Sequence, residues 1–220
     1  MNMRYLNLAL YSEGRTDDRF LSGLLLRLTQ DVCAGDVEMA EQVLALADPG
    51  SPSSGTRHDR ILQAATAARG AWQILFVHAD ADADANRARS ERVDPALALL
   101  KQRFGLKGLG VGVVPVRNCE AWALADGDAL RRVFGTRLDN QALGLPATPK
   151  QVESISDPKQ VLEAAFKATR PSGRHARAGV ASRLTQLGEE VSLDLLRQVS
   201  AFSALDSELR QALASMHILR

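Results

Sequence analysis

The stretch LFVHADADAD, at residues 75–84, joins an apolar run to three acids at alternate positions. Extended back to Trp72, the apolar part has the length and continuity of a strand that is buried on both faces of a parallel sheet. Asp80, Asp82 and Asp84 follow it directly. Carboxylates this close repel one another, most strongly where water is partly excluded. A divalent cation would offset that repulsion, and ligands that are all oxygen favour Mg²⁺, Mn²⁺ or Ca²⁺.

This strand belongs to an alternating pattern of strands and helices. Strands are expected at residues 5–11, 37–46, 72–79 and 110–116, and helices after the first strand, at about 59–68 and at about 94–104. The alternation predicts an α/β fold with an open, mostly parallel sheet flanked by helices. Pro115 cannot donate to a ladder, so pairing of the last strand should stop near it. We therefore expect an α/β core at residues 1–126 and a C-terminal helical extension, residues 127–220, packed on it.

Composition narrows the class of protein. Of 220 residues, 45% are apolar and the formal net charge is +1, so a sizeable core can form and the charge argues neither for nor against nucleic acid. Cys33 and Cys119 lie far apart without CxxC spacing, which weighs against a zinc finger or a disulfide scaffold and fits a reducing cytoplasm. The first apolar run is interrupted at Asn7, which favours a strand over a signal peptide. No segment is apolar for long enough to predict a membrane span.

Acidic residues follow the carboxyl ends of three expected strands, the edge at which open α/β sheets form their sites. Glu13 follows the first strand, Asp17 lies one helical turn further on, and Glu120 follows the strand that ends in VVPV. Each has an ordinary alternative. Thr16 or Asp17 could cap a helix, Asp17 could instead be a first-turn acid that the helix dipole stabilises, and Glu120 could be a solvated acid at a helix start. Convergence on one edge nevertheless predicts a shared metal site with the acids of residues 80–84.

Two other metal motifs share part of this pattern. Counted from Asp80, the acids fall at the first, third and fifth positions of an EF-hand calcium loop, with Glu91 at the twelfth. The sixth position holds Ala85 where the calcium loop needs glycine, and the preceding segment reads as a strand, not a helix. The DxD motif of metal-dependent glycosyltransferases also follows a strand, but it explains Glu13 less naturally.

The segments SEGRTDDRF, after the first strand, and LFVHADADAD, after a later one, resemble the topoisomerase–primase (TOPRIM) fold. Its hallmarks are Glu-Gly after strand one and DxD, often DxDxD, after a later strand. The ExxxD spacing from Glu13 to Asp17 is similar to TOPRIM domains of the overcoming-lysogenisation-defect (OLD) nucleases. VPVRNCEAWALAD and SISDPKQVL look like a family of stand-alone TOPRIM-like proteins, several linked to bacterial phage defence. The core motifs cover about residues 5–126. Ala85 stands where several TOPRIM enzymes have glycine, so the loop after the acids is expected to differ.

The resemblance implies that Mg²⁺, or Mn²⁺, makes or breaks phosphodiester bonds at this site. The implied catalytic residues are Glu13, Asp80 and Asp82, and the implied metal ligands are Glu13, Asp17, Asp80, Asp82, Asp84 and Glu120. Glu13 would be a metal ligand or a general acid/base, while Asp17 and Glu120 would complete a second metal position. Two metals can activate water and steady the leaving oxygen. No tyrosine is an obvious nucleophile, which favours hydrolysis over a covalent intermediate.

Positive charge for a polyanionic substrate is concentrated at residues 167–186, which include no acid. Arg170, Arg174 and Arg177 are expected to contact nucleic-acid phosphates, the ordinary alternative being a solvated helix face. Lys159 is a candidate stabiliser of transition-state charge, with a salt bridge as its ordinary role.

The sequence also suggests positions for several other residues. Arg57 and Arg60 border the Gly/Pro/Ser-rich loop at residues 48–58 and could reach a substrate. His78 lies inside a strand and is expected to be a packed residue or a neighbour of the ligands. Trp72 and Trp122 are expected in the core.

The sequence thus predicts a cytoplasmic, Mg²⁺-dependent nuclease, with phage defence as a further expectation. The chain has no Walker A motif, so any ATPase or other defence protein that works with it would be a separate partner. The alternative is a non-catalytic TOPRIM-fold component of a complex that binds metal, nucleotide or protein.

Overall fold

The structure is a computed structural model that describes residues 4–50, 55–82 and 84–220. Its strands are β1 Arg4–Leu6, β2 Leu8–Tyr11, β3 Val37–Met39, β4 Leu44–Ala45, β5 Ile74–His78 and β6 Leu109–Val113. Its helices are α1 Arg15–Val32, α2 Arg57–Ala67, α3 Ala85–Ala88, α4 Asp94–Phe104, α5 Glu120–Ala123, α6 Gly127–Phe134, α7 Pro158–Ala168, α8 Gly173–Ala178, α9 Leu184–Glu190, α10 Leu193–Leu196 and α11 Ser200–Ser215. A π-helical turn, Arg89–Val93, joins α3 to α4, and short 3₁₀ turns cover Gly105–Lys107, Pro149–Ser154 and Val180–Arg183.

All strand pairs between these elements are parallel. Four strands form one sheet in the order β4-β2-β5-β6, and β1 pairs with β3 in a second, two-stranded sheet. Between the two strands of every hydrogen-bonded parallel pair the chain forms at least one helix, as a parallel connection requires. The predicted α/β class, with a parallel sheet flanked by helices and further helices after it, is confirmed.

Side-chain alternation along the strands divides the core between two faces of the sheet. Leu10 and Phe76 pack on the same side as Phe20 of α1 and with the C-terminal helices. The alternate residues of β2 and β5 pack on the other side, against α2 and α4. Both tryptophans are buried, Trp72 on the second side and Trp122 on the first, as expected from the sequence.

The helices that follow residue 126 pack closely on this core, most extensively where α9 crosses α1. A Cβ atom at Gly188 would lie 2.0 Å from the carbonyl oxygen of Phe20, so only glycine permits that approach. The side chains of Leu187 and Phe202 join the same buried cluster as the sheet. The boundary at residue 126 remains a prediction.

Several local expectations change in the structure. The strand expected at residues 37–46 is divided into the short strands β3 and β4. Gly14, without a side-chain cap, is the N-cap of α1, so the expectation that Thr16 or Asp17 caps this helix is wrong; Asp17 is an acid of its first turn. β6 ends two residues before Pro115, as expected. Residues 51–54 of the expected loop lie outside the described residues. In the part of the chain that is described, no helix is long and apolar enough to cross a lipid bilayer.

Candidate active site

The parallel order of β2, β5 and β6 brings the segments that follow them to one edge of the sheet. At this edge Nη1 of Arg92 donates to Oε1 of Glu13 over 3.2 Å. Nη2 of the same side chain lies 3.7 Å from Oδ2 of Asp82 and donates to the backbone oxygen of Asp80. A single guanidinium therefore links Glu13 to the acidic loop, and the structure brings the two segments together.

A buried cluster of acids and a thiol lies at the same edge. One carboxylate oxygen each from Asp17 and Glu120, together with Sγ of Cys119, all lie within 4.8 Å of one another. Asp17 and Glu120 are each only 7% exposed, so Glu120 is not the solvated helix-start acid of the ordinary alternative. Sγ of Cys119 lies 3.4 Å from Oδ1 of Asp17 and 3.7 Å from a Glu120 oxygen. Because a thiol has one proton, it donates to one of these carboxylates at a time.

Burial and mutual repulsion disfavour the charged forms of this cluster. Burial is the main cause that raises the pKa of Asp17, and the negative charges of Asp80 and Glu13 add to it, while His78 opposes it. Burial likewise raises the pKa of Glu120, with contributions from Asp17 and Asp80. Burial, together with the negative charges of Glu120, Asp17 and Asp80, raises the pKa of the Cys119 thiol well above its ordinary value. The thiol is therefore protonated at neutral pH, and a cation among the carboxylates would relieve the repulsion.

His78, the last residue of β5, lies between Asp80 and Asp17 and, of the two, hydrogen-bonds to Asp80 alone. Its side chain is fully buried, with Nε2 3.1 Å from Oδ1 of Asp80 and Nδ1 3.9 Å from Oδ2 of Asp17. The expectation of a packed residue or a neighbour of the ligands agrees with this position. Asp80 is close enough for its charge to act on Asp17, Cys119 and Glu120.

The other two aspartates of the acidic run have different surroundings. Asp82 has a positive φ of 51° and a side chain that is 85% exposed, directed at Arg92. Asp84 is the N-cap of α3, where its carboxylate accepts the backbone N–H of Arg87 over 2.9 Å. Of the three aspartates, Asp80 is the one that hydrogen-bonds to His78 and whose charge acts on the buried carboxylates.

Two arginines border the acidic edge. Nη1 of Arg57 lies 3.4 Å from Oε1 of Glu13, the oxygen that Arg92 also contacts. The sequence pointed to Arg57 through its neighbouring loop, but it gave no sign of Arg92 or Cys119. Arg92 lies in the π-helical turn, and π-turns are found mostly as single turns inside helices, frequently at functional sites. The position of a π-helical turn cannot be predicted from the periodicity of apolar residues.

Lys159 lies close enough to the cluster for its charge to act on Glu120. It lies in the first turn of α7, and its positive charge partly opposes the raised pKa of Glu120. The sequence alone placed Lys159 in a helical region about forty residues beyond Glu120, and the packing of α7 against α5 brings the two together.

The basic segment lies on the surface next to the start of α1. Arg170, Arg174 and Arg177 are exposed, as is all of α8. Arg19 of α1 donates to the backbone oxygen of Ala181 over 3.3 Å, which joins this segment to the first turns of α1. A groove of about 560 Å³ runs along it; its lining includes Phe166, Lys167, Arg170, Pro171 and Val180.

Comparisons with protein-family models, with curated proteins and with solved structures each find no match to this chain. The fold and the site therefore define it only as a parallel α/β protein with a buried acidic cluster at the carboxyl edge of its sheet. The resemblance to TOPRIM domains stays a prediction that rests on the motifs themselves.

Proposed function

We propose that this protein hydrolyses phosphodiester bonds in nucleic acid with a divalent cation, Mg²⁺ or Mn²⁺, held at the carboxyl edge of the sheet. The observation that carries the proposal is the pair of buried carboxylates, Asp17 and Glu120, within 4.8 Å of each other beside Asp80. Carboxylate oxygens are the ligands that Mg²⁺ and Mn²⁺ prefer. In the absence of metal the protonated thiol of Cys119 is placed to donate to Asp17 and so to orient its carboxylate.

Each side chain has a role that follows from its position. Asp17, Asp80 and Glu120 would hold the cation, which would supply charge neutralisation and an activated water. Glu13 would be a further ligand or the group that accepts the proton of the attacking water. Arg57 and Lys159 would add positive charge near the reacting phosphate.

The nature of the substrate is argued from charge outside the acidic cluster. The exposed arginines of the segment that contains α8 form a positive surface joined to the start of α1. A polyanion bound along this surface would extend to the acidic edge, and phosphate contacts of this kind dominate nucleic-acid affinity. These positions support a polynucleotide over a small phosphoester as the substrate.

The experiment is a hydrolysis assay on plasmid DNA, single-stranded DNA and single-stranded RNA, with Mg²⁺, Mn²⁺ or EDTA. We expect cleavage of at least one substrate with metal, none with EDTA, and loss of cleavage in Asp17→Asn and Glu120→Gln. The matched control is Asp128→Asn, which also removes a first-turn helix acid but at an exposed position paired with Arg131. The control should cleave as the parent does.

Two results would contradict the proposal. One is cleavage that persists in both Asp17→Asn and Glu120→Gln, which would show that a contaminant or another site is responsible. The other is binding of divalent ions without hydrolysis of any of the three substrates. The second result would favour the alternative, a non-catalytic component of a complex that binds metal, nucleotide or protein.

A further inference from the structure

Two guanidinium groups from different elements meet at one carboxylate oxygen. Oε1 of Glu13 lies 3.4 Å from Nη1 of Arg57, the first residue of α2, and 3.2 Å from Nη1 of Arg92 in the π-helical turn. Like charges this close repel each other. Burial lowers the pKa of Arg57, and the charge of Arg92 contributes in the same direction while Glu13 opposes it. One carboxylate is therefore shared between two cations.

Hydrogen bonds to backbone carbonyls hold both guanidiniums in place. Nη2 of Arg57 donates to the backbone oxygen of His78, and Nη2 of Arg92 donates to that of Asp80. The guanidinium carbon of Arg57 also lies 5.6 Å from the centre of the Tyr11 ring, a cation–π distance. These anchors leave the two Nη1 groups directed at the same point, next to the end of β5.

The arginines have hydrogen-bonding capacity that Glu13 does not use. Nε of Arg57 is buried and has no hydrogen-bond partner among residues 4–50, 55–82 and 84–220. Of the two contacts to Glu13, only that from Arg92 has hydrogen-bond geometry, whereas that from Arg57 is an ion pair alone. The Glu13 side chain is 27% exposed, so solvent and ligands can reach it. An anion with more oxygens than a carboxylate could accept from both Nη1 groups at once.

We propose that Arg57 and Arg92 form a phosphate-binding site for which the Glu13 carboxylate is the internal competitor. Guanidiniums match the geometry of phosphate oxygens, and charge-assisted bonds to phosphate are among the strongest in proteins. The anchoring carbonyls belong to His78 and Asp80, so a phosphate held here lies beside the acidic cluster. The identification of this phosphate as part of the substrate rests on the proposed function, whereas the anion site itself does not.

The test is calorimetric titration with inorganic phosphate in EDTA, where no metal contributes. Glu13→Gln removes the competing charge and keeps the shape, so we expect it to bind phosphate on the order of tenfold more tightly than the parent, or about 1.4 kcal/mol. Arg92→Met and Arg57→Met should each weaken binding on the order of tenfold or more. Arg103→Met, at an exposed arginine near the end of α4, is the control and should leave binding unchanged.

Tighter binding in Glu13→Gln is the decisive outcome, because a residue with a purely structural role would not change affinity in that direction. The proposal is overturned if Glu13→Gln binds phosphate no more tightly than the parent. This criterion does not use the arginine variants, so it still applies if one of them fails to fold. A 5′-phosphorylated oligonucleotide and its 5′-hydroxyl counterpart then separate a terminal phosphate from an internal diester. Either preference supports the identification of this phosphate as part of a nucleic acid, and no binding of either oligonucleotide contradicts that identification.

Failure of this site and failure of the proposed function give different results. Phosphate binding in EDTA that depends on Arg57 and Arg92, without metal-dependent cleavage, would contradict the nuclease alone. Metal-dependent cleavage with phosphate affinity unchanged in all three variants would contradict the phosphate site alone.

Discussion

The carboxylates of Asp17, in the first turn of α1, and Glu120, at the start of α5, lie within 4.8 Å of each other in a buried cluster. Burial raises the pKa of both. With both groups ionised, their proximity costs folding free energy, which a bound cation or a proton would recover. This relationship gives the site a pH dependence and a metal dependence that can be measured separately.

The first prediction concerns stability without metal. A carboxyl whose folded pKa is raised contributes stability that is fully present below its unfolded pKa and is lost as pH rises through the folded pKa. At pH 7 in EDTA, Asp17→Asn and Glu120→Gln should therefore unfold at higher urea concentration than the parent. The advantage should shrink as pH falls toward about 4, near the ordinary pKa of these groups.

Asp128→Asn provides a control for this pH series, because the contribution of Asp128 to stability changes with pH in the opposite direction. Its ion pair with Arg131 lowers the pKa of Asp128, so its contribution is present at neutral pH and is lost as pH falls. Removal of this charge should leave the protein no more stable at pH 7. Lower stability of Asp17→Asn than of the parent at pH 7 in EDTA would contradict the account of the cluster.

The second prediction separates Asp17 from Asp82. Millimolar Mg²⁺ should raise the melting temperature of the parent by binding the native state, with a gain of about 2.7 kcal/mol at a hundredfold excess over Kd. Asp17→Asn should lose most of this gain. Asp82→Asn should keep most of it, because the Asp82 side chain is 85% exposed and directed at Arg92.

Thermal melts of all three proteins, with EDTA and with Mg²⁺, measure this difference. If Asp82→Asn lost as much of the Mg²⁺-induced gain in melting temperature as Asp17→Asn, Asp82 would be a metal ligand, as the TOPRIM resemblance implies. No Mg²⁺ effect on the parent would argue against a metal site altogether.

The third prediction concerns Asp84 as a helix cap. Replacement by alanine removes the acceptor for the Arg87 N–H and should cost roughly 0.5–2 kcal/mol of unfolding free energy. The cost should be the same in EDTA and in Mg²⁺, since the cap does not involve the cluster. Asp84→Ser keeps a capping oxygen and should recover most of the loss. A cost that appears only with Mg²⁺ would assign Asp84 to the metal instead.

The fourth prediction tests the basic segment. Arg174→Glu combined with Arg177→Glu should weaken binding to a single-stranded oligonucleotide. The slope of log K against log salt should become shallower by about 0.7 for each phosphate that the protein no longer neutralises. The control pair is Arg103→Glu with Lys107→Glu. Both are exposed cations that precede the amino end of β6, whereas the acids follow the carboxyl ends of the strands. Equal effects of the two pairs would mean that only overall charge matters, and that α8 is simply a solvated surface.

The sequence by itself determined the α/β class and the edge on which the acids lie. Apolar runs such as that of β5 are local, and their length and continuity predict a buried strand without knowledge of its neighbours. Because parallel strands share one carboxyl edge, the residues that follow β2 and β5 must meet there. Glu13, Asp17 and Asp80 could therefore be assigned to a common edge before any packing was known.

Only the tertiary structure decided which acids face one another and what neutralises them. The alternation of residues 80, 82 and 84 does not continue as a strand, since Asp82 adopts a positive φ and Asp84 caps α3. Glu120 is buried by helices distant in sequence, including α7, which also brings Lys159 close. The position of Arg92 depends on a π-helical turn. Side-chain direction in turns and burial by distant helices arise from packing, and a one-dimensional pattern of apolar residues does not encode them.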